Sequence, residues 1–254
     1  MKKSLASTLC LGLGLFVACS VHAESDGFYA KFTTLDPAIW YASNGWVNGD
    51  YQACEWAADE AFAAEGRLVL QLSEPGGKVR PVSCAEIHTK IPTGYGTYEV
   101  RMRPAAGPGL NTAFFTYVGP GTGAPEWDEI DFEFLGKNTH AVQVNYYTNG
   151  KGGHEAIVQL PFDASKSMHE YAFDWTETKI RWYVDRKLVH ETPDGAVMPK
   201  NPGLVYLTLW AGGSQMNGWL GPFHYIDPVT ADVEWTRFTP VEAGCPYPHV
   251  SKCK

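Results

Sequence analysis

Apolar and polar residues alternate in period two over six clear segments: Arg67–Leu72, Gly96–Arg103, Ala141–Tyr147, Lys179–Val184, Leu204–Trp210 and Ala231–Phe238. Residues two apart on a strand point to the same face, so the alternation predicts half-buried strands. Their β-branched and aromatic content agrees. Gly, Pro, Asn and Asp separate them, and Val184-Asp185-Arg186-Lys187-Leu188 reads as a hairpin turn. No segment keeps a helical period beyond a few turns. Many short strands at this spacing predict an all-β sandwich or barrel, not a βαβ sheet. No repeat, low-complexity stretch or linker divides residues 24–254, which are therefore expected to form a single domain.

The first 23 residues break the pattern. Lys2 and Lys3 precede an apolar run, Leu9 to Val21, and Val21-His22-Ala23 supplies small residues where a signal peptidase reads. The expectation is a secretory signal peptide cut after Ala23, and an extracellular or periplasmic mature protein. The run is too short for a permanent membrane span. A lipoprotein signal ending at Cys19 is the weaker reading, because Phe16 stands where an aliphatic residue is usual.

Composition narrows the partners. The 254 residues carry a net charge of −8, and loss of two lysines with the signal takes it to −10. An acidic chain is a poor partner for nucleic acid or an anionic membrane. Charged residues at 19% and hydrophobic ones at 44% exclude bulk disorder. Cys54, Cys84, Cys245 and Cys253 remain after processing, and an even count in an exported chain reads as disulfides. Of three pairings, Cys54–Cys84 with Cys245–Cys253 is preferred. The first ties two strand-like segments together; the second closes a short Pro-containing tail. No CxxC motif suggests zinc or redox chemistry.

The stretch that carries chemistry is Trp127-Asp128-Glu129-Ile130-Asp131-Phe132-Glu133-Phe134-Leu135. By strand parity Ile130, Phe132 and Phe134 share a core face, and Glu129, Asp131 and Glu133 share the other. Acids are poor strand formers and neighbouring like charges repel, so a plain solvated face is a weak explanation for three in a row. Crowded carboxyls push their pKa values apart, leaving one protonated while another is ionised. A glycosidase needs that pair: a carboxylate nucleophile and a carboxylic acid for the leaving oxygen. Residues four apart on a flat strand lie about 13 Å apart at Cα, whereas a retaining pair needs carboxyls about 5–5.5 Å apart. The strand is therefore expected to line a bent groove.

At these residues the sequence resembles glycoside hydrolase family 16, in particular its bacterial lichenases (endo-1,3-1,4-β-glucanases), whose motif Glu-x-Asp-x-Glu reads here Glu129-Ile-Asp131-Phe-Glu133. The likeness runs from about Phe28 to Phe238. It includes Cys84-Ala-Glu86, Gly94-Tyr-Gly-Thr-Tyr-Glu-Val100, Phe114-Phe-Thr-Tyr-Val-Gly119, Asn145-Tyr-Tyr-Thr-Asn-Gly150 and Trp219-Leu-Gly221. The resemblance implies a β-jellyroll sandwich of two curved antiparallel sheets with an open concave cleft, of the concanavalin-like kind. It implies retaining hydrolysis of mixed-linkage β-glucan, with Glu129 as nucleophile, Glu133 as general acid/base and Asp131 tuning the pair. It also implies a sugar-binding set: Asn48, Glu86, Tyr117, Trp127, Asn145, Tyr147, Glu155, Trp210 and Trp219. Any single Trp or Tyr reads more simply as core; within the motif, Trp127, Tyr147 and Trp210 read as ligands. Glu86 and Glu155 read equally well as surface acids. The lichenase disulfide matches Cys54–Cys84.

Two positions depart from the lichenase pattern. His88 replaces an arginine and Thr208 an asparagine, and both share cleft parity with Glu86 and Trp210. A guanidinium fork has no ready substitute, which keeps another family 16 substrate open, such as a bacterial exopolysaccharide of the succinoglycan kind or xyloglucan. The resemblance further implies one structural calcium, with Glu234 as its carboxylate ligand; no organic cofactor is required. A non-catalytic lectin on the same fold would have no use for the acid trio. No His-Glu-x-x-His, Gly-x-Ser-x-Gly or phosphate loop occurs. His154 is expected to make a local structural bond, and a monomer is the default.

Overall fold

The period-two segments form strands with nearly the bounds their alternation predicts. The computed structural model describes residues 27–119 and 125–241. The expected signal segment, the alternative anchor at Cys19 and the Cys245–Cys253 pair lie outside the described residues. In chain order the strands are β1 (Phe28–Lys31), β2 (Trp40–Ala42), β3 (Cys54–Trp56), β4 (Ala61–Ala64), β5 (Arg67–Leu72), β6 (Val82–Thr89), β7 (Gly96–Arg103), β8 (Leu110–Val118), β9 (Asp128–Leu135), β10 (Ala141–Tyr147), β11 (Ala156–Gln159), β12 (His169–Trp175), β13 (Ile180–Val184), β14 (Lys187–Glu191), β15 (Leu204–Ala211) and β16 (Val229–Pro240). Among the described residues the only α-helix is α1 (Asn217–Leu220), so no helix there is long and apolar enough to cross a membrane.

These strands make a jellyroll sandwich of two sheets. The first runs β14-β13-β12-β7-β16-β5-β4. Its longest strand, β16, pairs with β7 on one side; on the other, β5 covers Val229–Val233 and β1 covers Trp235–Phe238. The second sheet runs β11-β10-β9-β8-β15-β6-β2, all antiparallel, with β3 added parallel to β6. The β13–β14 turn holds Asp185 and Arg186 at φ 46° and 65°, the positive pair a two-residue type I′ hairpin requires.

The core lies between the sheets. Ile130, Phe132 and Phe134 of β9 are buried there. Phe132 and Phe134 meet Tyr171 edge-on at 5.7 and 4.6 Å between centroids, and Phe114 packs on Phe173. Trp182, from the opposite sheet, donates its indole N–H to the Asp131 carbonyl at 3.1 Å. That bond crosses the core and fixes β9 from behind, at the residue between the two candidate catalytic glutamates.

Cys54 of β3 and Cys84 of β6 are fully buried and disulfide-bonded. They lie 30 residues apart, and closing a loop of that length in the unfolded chain is worth about 3–4 kcal/mol. The double variant Cys54→Ala/Cys84→Ala is expected to lose about that much stability in chemical denaturation, with the oxidised wild type as reference.

Candidate active site

The site is the outward face of the second sheet, and strand register dictates who meets whom. Glu133, Asp131 and Glu129 of β9 face Gln143, Asn145 and Tyr147 of β10 on one side. On the other they face Ala113, Phe115 and Tyr117 of β8. Next along come Thr208 and Tyr206 of β15, then Glu86 and His88 of β6, then Tyr41 of β2. Alternation thus lays one open face across six strands, with the carboxylates near its middle.

Each acid has its own partners. Trp127 donates its indole N–H to Glu129 at 2.6 Å and stacks on Tyr147, with centroids 4.2 Å apart. Asp131 is hydrogen-bonded to Glu129. Glu133 accepts from the Asn111 amide at 3.1 Å and the Gln143 amide at 2.8 Å. Gln143 is itself held by the Trp219 indole N–H at 3.0 Å. Asp128, the fourth acid of the stretch, points the other way. It accepts from the backbone N–H groups of Asn149, Lys200 and Asn201, so it braces the loops at the start of β9.

Burial raises all three acids above the ordinary carboxyl range, because the charged form loses its water. Glu129 rises to about 7, with the Trp127 and Asp131 hydrogen bonds opposing the shift. Glu133 rises to about 8, driven by burial and then by the charge of Glu129. Asp131 is raised well above its usual value by burial and by both glutamates. Asp131, pushed up by burial and by both glutamates, donates to Glu129; that bond and the Trp127 bond favour the ionised form of Glu129, whose charge favours the protonated form of Glu133.

The nine expected sugar-binding residues surround this centre. Trp127 and Tyr147 flank Glu129, and Tyr117 packs against Trp127 at 6.5 Å. Asn145 is buried opposite Asp131. The exposed Glu155 precedes β11, and its charge acts on Asp131 and Glu133. Trp210 and Trp219 pack together at 6.2 Å. Asn48 hydrogen-bonds Tyr51, whose ring meets Trp210 edge-on at 6.0 Å. Glu86 is not the surface acid it could have been. It is 4% exposed, accepts from the Ser43 hydroxyl at 2.6 Å and is pushed by burial to about 7.

Other side chains here escaped the sequence reading. Asn111 and Gln143 hold Glu133, Ser43 holds Glu86, and Tyr51 covers the Trp210 end. Parity could have found two of them: Asn111 shares a face with Tyr117, and Gln143 with Asn145 and Tyr147. Three buried polar atoms of this face, Asn111 Oδ1, Asn145 Oδ1 and Thr208 Oγ1, have no hydrogen-bond partner. Buried groups left unpaired are costly. His154 instead stacks on Tyr146 and bonds its carbonyl at 2.9 Å, as expected of a structural histidine.

The calcium expectation meets a different arrangement. Glu234 lies at a register shift of β16, on the other sheet, and its carboxylate accepts from Arg101 Nε at 2.7 Å. No group of three or more His, Cys, Asp or Glu among the described residues is arranged to hold a metal. The Arg101 guanidinium engages one oxygen of that carboxylate, which is about half exposed at 49%.

Comparison with known proteins agrees with this fold. Residues 48–236 match the family model described as Glycosyl hydrolases family 16. The chain is 40% identical over 236 residues to a beta-glucanase of Bacillus licheniformis, covering 92% of this chain and 95% of that one. It is 41% identical over 227 residues to the endo-1,3-1,4-beta-glycanase ExoK of Rhizobium meliloti (strain 1021), covering 89% and 84%. The solved structure of a Bacillus licheniformis beta-glucanase superposes with a TM-score of 0.79 at 42% identity, covering 85% of this chain and 98% of that one. A lichenase from a mouse hindgut metagenome gives 0.79 at 40% identity, covering 85% and 100%.

Proposed function

The chain belongs to glycosyl hydrolase family 16, and from that premise we propose that it is an exported, retaining endo-β-glucanase that cuts mixed-linkage 1,3-1,4-β-glucan by double displacement. Glu133 protonates the glycosidic oxygen while Glu129 attacks the anomeric carbon, giving a glycosyl ester and a freed chain end. Glu133, now ionised, takes a proton from water, which displaces Glu129 and restores the original anomeric configuration. Asp131 donates to Glu129 and holds it in line. Stacked Trp127 and Tyr147 offer an aromatic surface beside the nucleophile, and Asn145, Glu86 and Glu155 offer hydroxyl partners.

One observation carries this reading: three carboxyls share one strand face, with Glu129 held by Trp127 and Asp131 and Glu133 held by Asn111 and Gln143. The direct test is product analysis of the mature protein on barley β-glucan, with laminarin and xyloglucan in parallel and Glu129→Ala beside each. Short oligosaccharides from barley glucan alone, and none from the variant, are expected. Silence of a folded enzyme on barley glucan sinks the assignment. His88 and Thr208, where the lichenase pattern has other residues, favour one further arm with an acidic bacterial exopolysaccharide.

A pH profile follows from the two raised values. Glu129 must be ionised, so kcat/KM rises with pH through about 7. Glu133 must be protonated, so kcat/KM falls through about 8. The free enzyme is expected to show a narrow bell between these limbs, read from kcat/KM against pH. A flat profile from pH 5 to 9 would contradict the assignment.

A further inference from the structure

One row of the open face is built unlike the rest. From Asp131 toward the sheet edge it reads Phe115, Tyr206, His88 and Tyr41, one ring per strand on β8, β15, β6 and β2. Successive centroids lie 4.8, 4.9 and 5.1 Å apart, with interplanar angles of 13°, 40° and 36°. That spacing is about the 4.7–4.9 Å separation of adjacent strands, so one ring follows another along the row, Phe115 and Tyr206 stacked and His88 and Tyr41 tilted. Tyr206 lies near Glu129 and Glu86. Tyr41, on the last strand of the sheet, is 46% exposed.

The polar tips are set as well. His88 Nδ1 lies 2.8 Å from the Thr89 carbonyl. A carbonyl only accepts, so Nδ1 carries the proton of that bond, and Nε2 is the ring nitrogen left free of it. Four strand steps from β9 to β2 span about 19 Å. The neighbouring row, two residues along each strand, is polar: Thr208 with its unpartnered hydroxyl, then the buried Glu86.

We propose that Tyr206, His88 and Tyr41 form a binding wall that extends the cleft from the nucleophile to the free edge of the sheet, along which successive neutral hexopyranosyl units of the glucan lie with their hydroxyls on the ring tips. The wall is continuous with the catalytic face, which identifies its occupant as the substrate chain itself. The proposal rests on the β-glucanase reading and deepens it to substrate length.

The test keeps the rings and removes the tips. In Tyr41→Phe/His88→Phe the rings remain and the bond from His88 Nδ1 to the Thr89 carbonyl is lost, so a purely structural ladder predicts at most a lowered melting temperature with KM unchanged. The wall predicts a KM on barley β-glucan raised about tenfold with kcat unchanged, the pattern of lost uniform binding. It also predicts unaltered cleavage of the shortest oligosaccharide the enzyme accepts. An unchanged KM on the polymer, or an equal loss on polymer and short substrate, overturns it. A second measurement separates this from the parent reading. Glu129→Gln is run in native gels cast with barley β-glucan, with and without the two ring substitutions. Retardation lost with the ring tips supports the wall even if the wild type hydrolyses nothing; retardation indifferent to them removes it even if the wild type hydrolyses well.

Discussion

Glu129→Ala is expected to lower glucan hydrolysis by at least about 10⁴-fold, the scale on which a covalent step is lost, while leaving the fold intact. The side chain reaches the open face from a strand whose opposite face is locked by Phe132, Phe134 and the Trp182 bond, so its truncation leaves a hole at the site and little disturbance behind it. That hole makes the prediction sharper than a loss of rate. A small anion such as azide can enter it and attack the anomeric carbon from the side Glu129 would have used. Retention arises from two inversions; with the nucleophile gone, only one remains. An aryl β-glycoside of a short glucan, with azide present, is therefore expected to give the α-glycosyl azide, identified by the anomeric proton coupling in NMR. The β-azide would reassign the nucleophile, and full activity without azide would remove Glu129 from the mechanism.

How much of this was legible in the sequence follows from what each level of structure depends on. Strands β5, β7 and β10 have the bounds their alternation predicts, because each has one face on a shared core and one away from it. The strand of the three acids was readable for the same reason, with Ile130, Phe132 and Phe134 committing the acids to the other side. Partnership across strands was not readable from parity alone. Nothing local to Glu133 says that Asn111, from β8, and Gln143, from β10, will donate to it; that depends on register between segments 22 and 10 residues away. Glu86 illustrates the gap. Its parity placed it on the open face, but its burial and its bond to Ser43, 43 residues earlier, come from β2 and the segment after it closing over β6. Glu234 shows the converse. A resemblance matched the position to a metal ligand, yet Arg101, across the β7–β16 pair, holds the carboxylate. The motif did not contain that partner.

Glu133→Gln separates activity from stability at a single position. Without the acid, hydrolysis of natural glucan is expected to fall about 10²–10⁴-fold. The first step on an aryl glycoside with a good leaving group should be nearly spared, since such an oxygen departs without a proton. The descending limb near pH 8 should vanish with the group that titrates there. Stability moves differently. A carboxyl whose folded pKa is raised favours folding only while the unfolded chain also holds its proton. Glu133 sits at about 8 when folded, against an ordinary value of 4.5. Between those values the folded state binds a proton that the unfolded state has released, so wild-type stability falls as pH rises. The amide does not titrate. Chemical denaturation of wild type and variant at pH 4 and at pH 8 should therefore show the variant gaining on the wild type at the higher pH. A constant difference would mean that Glu133 is not held protonated by the fold, and with it would go the claim that this strand keeps an acid and a base side by side. The residue that the chemistry needs most is thus one that the fold would hold more easily as an amide. Its presence in a buried, like-charged row is understandable only through the reaction it serves.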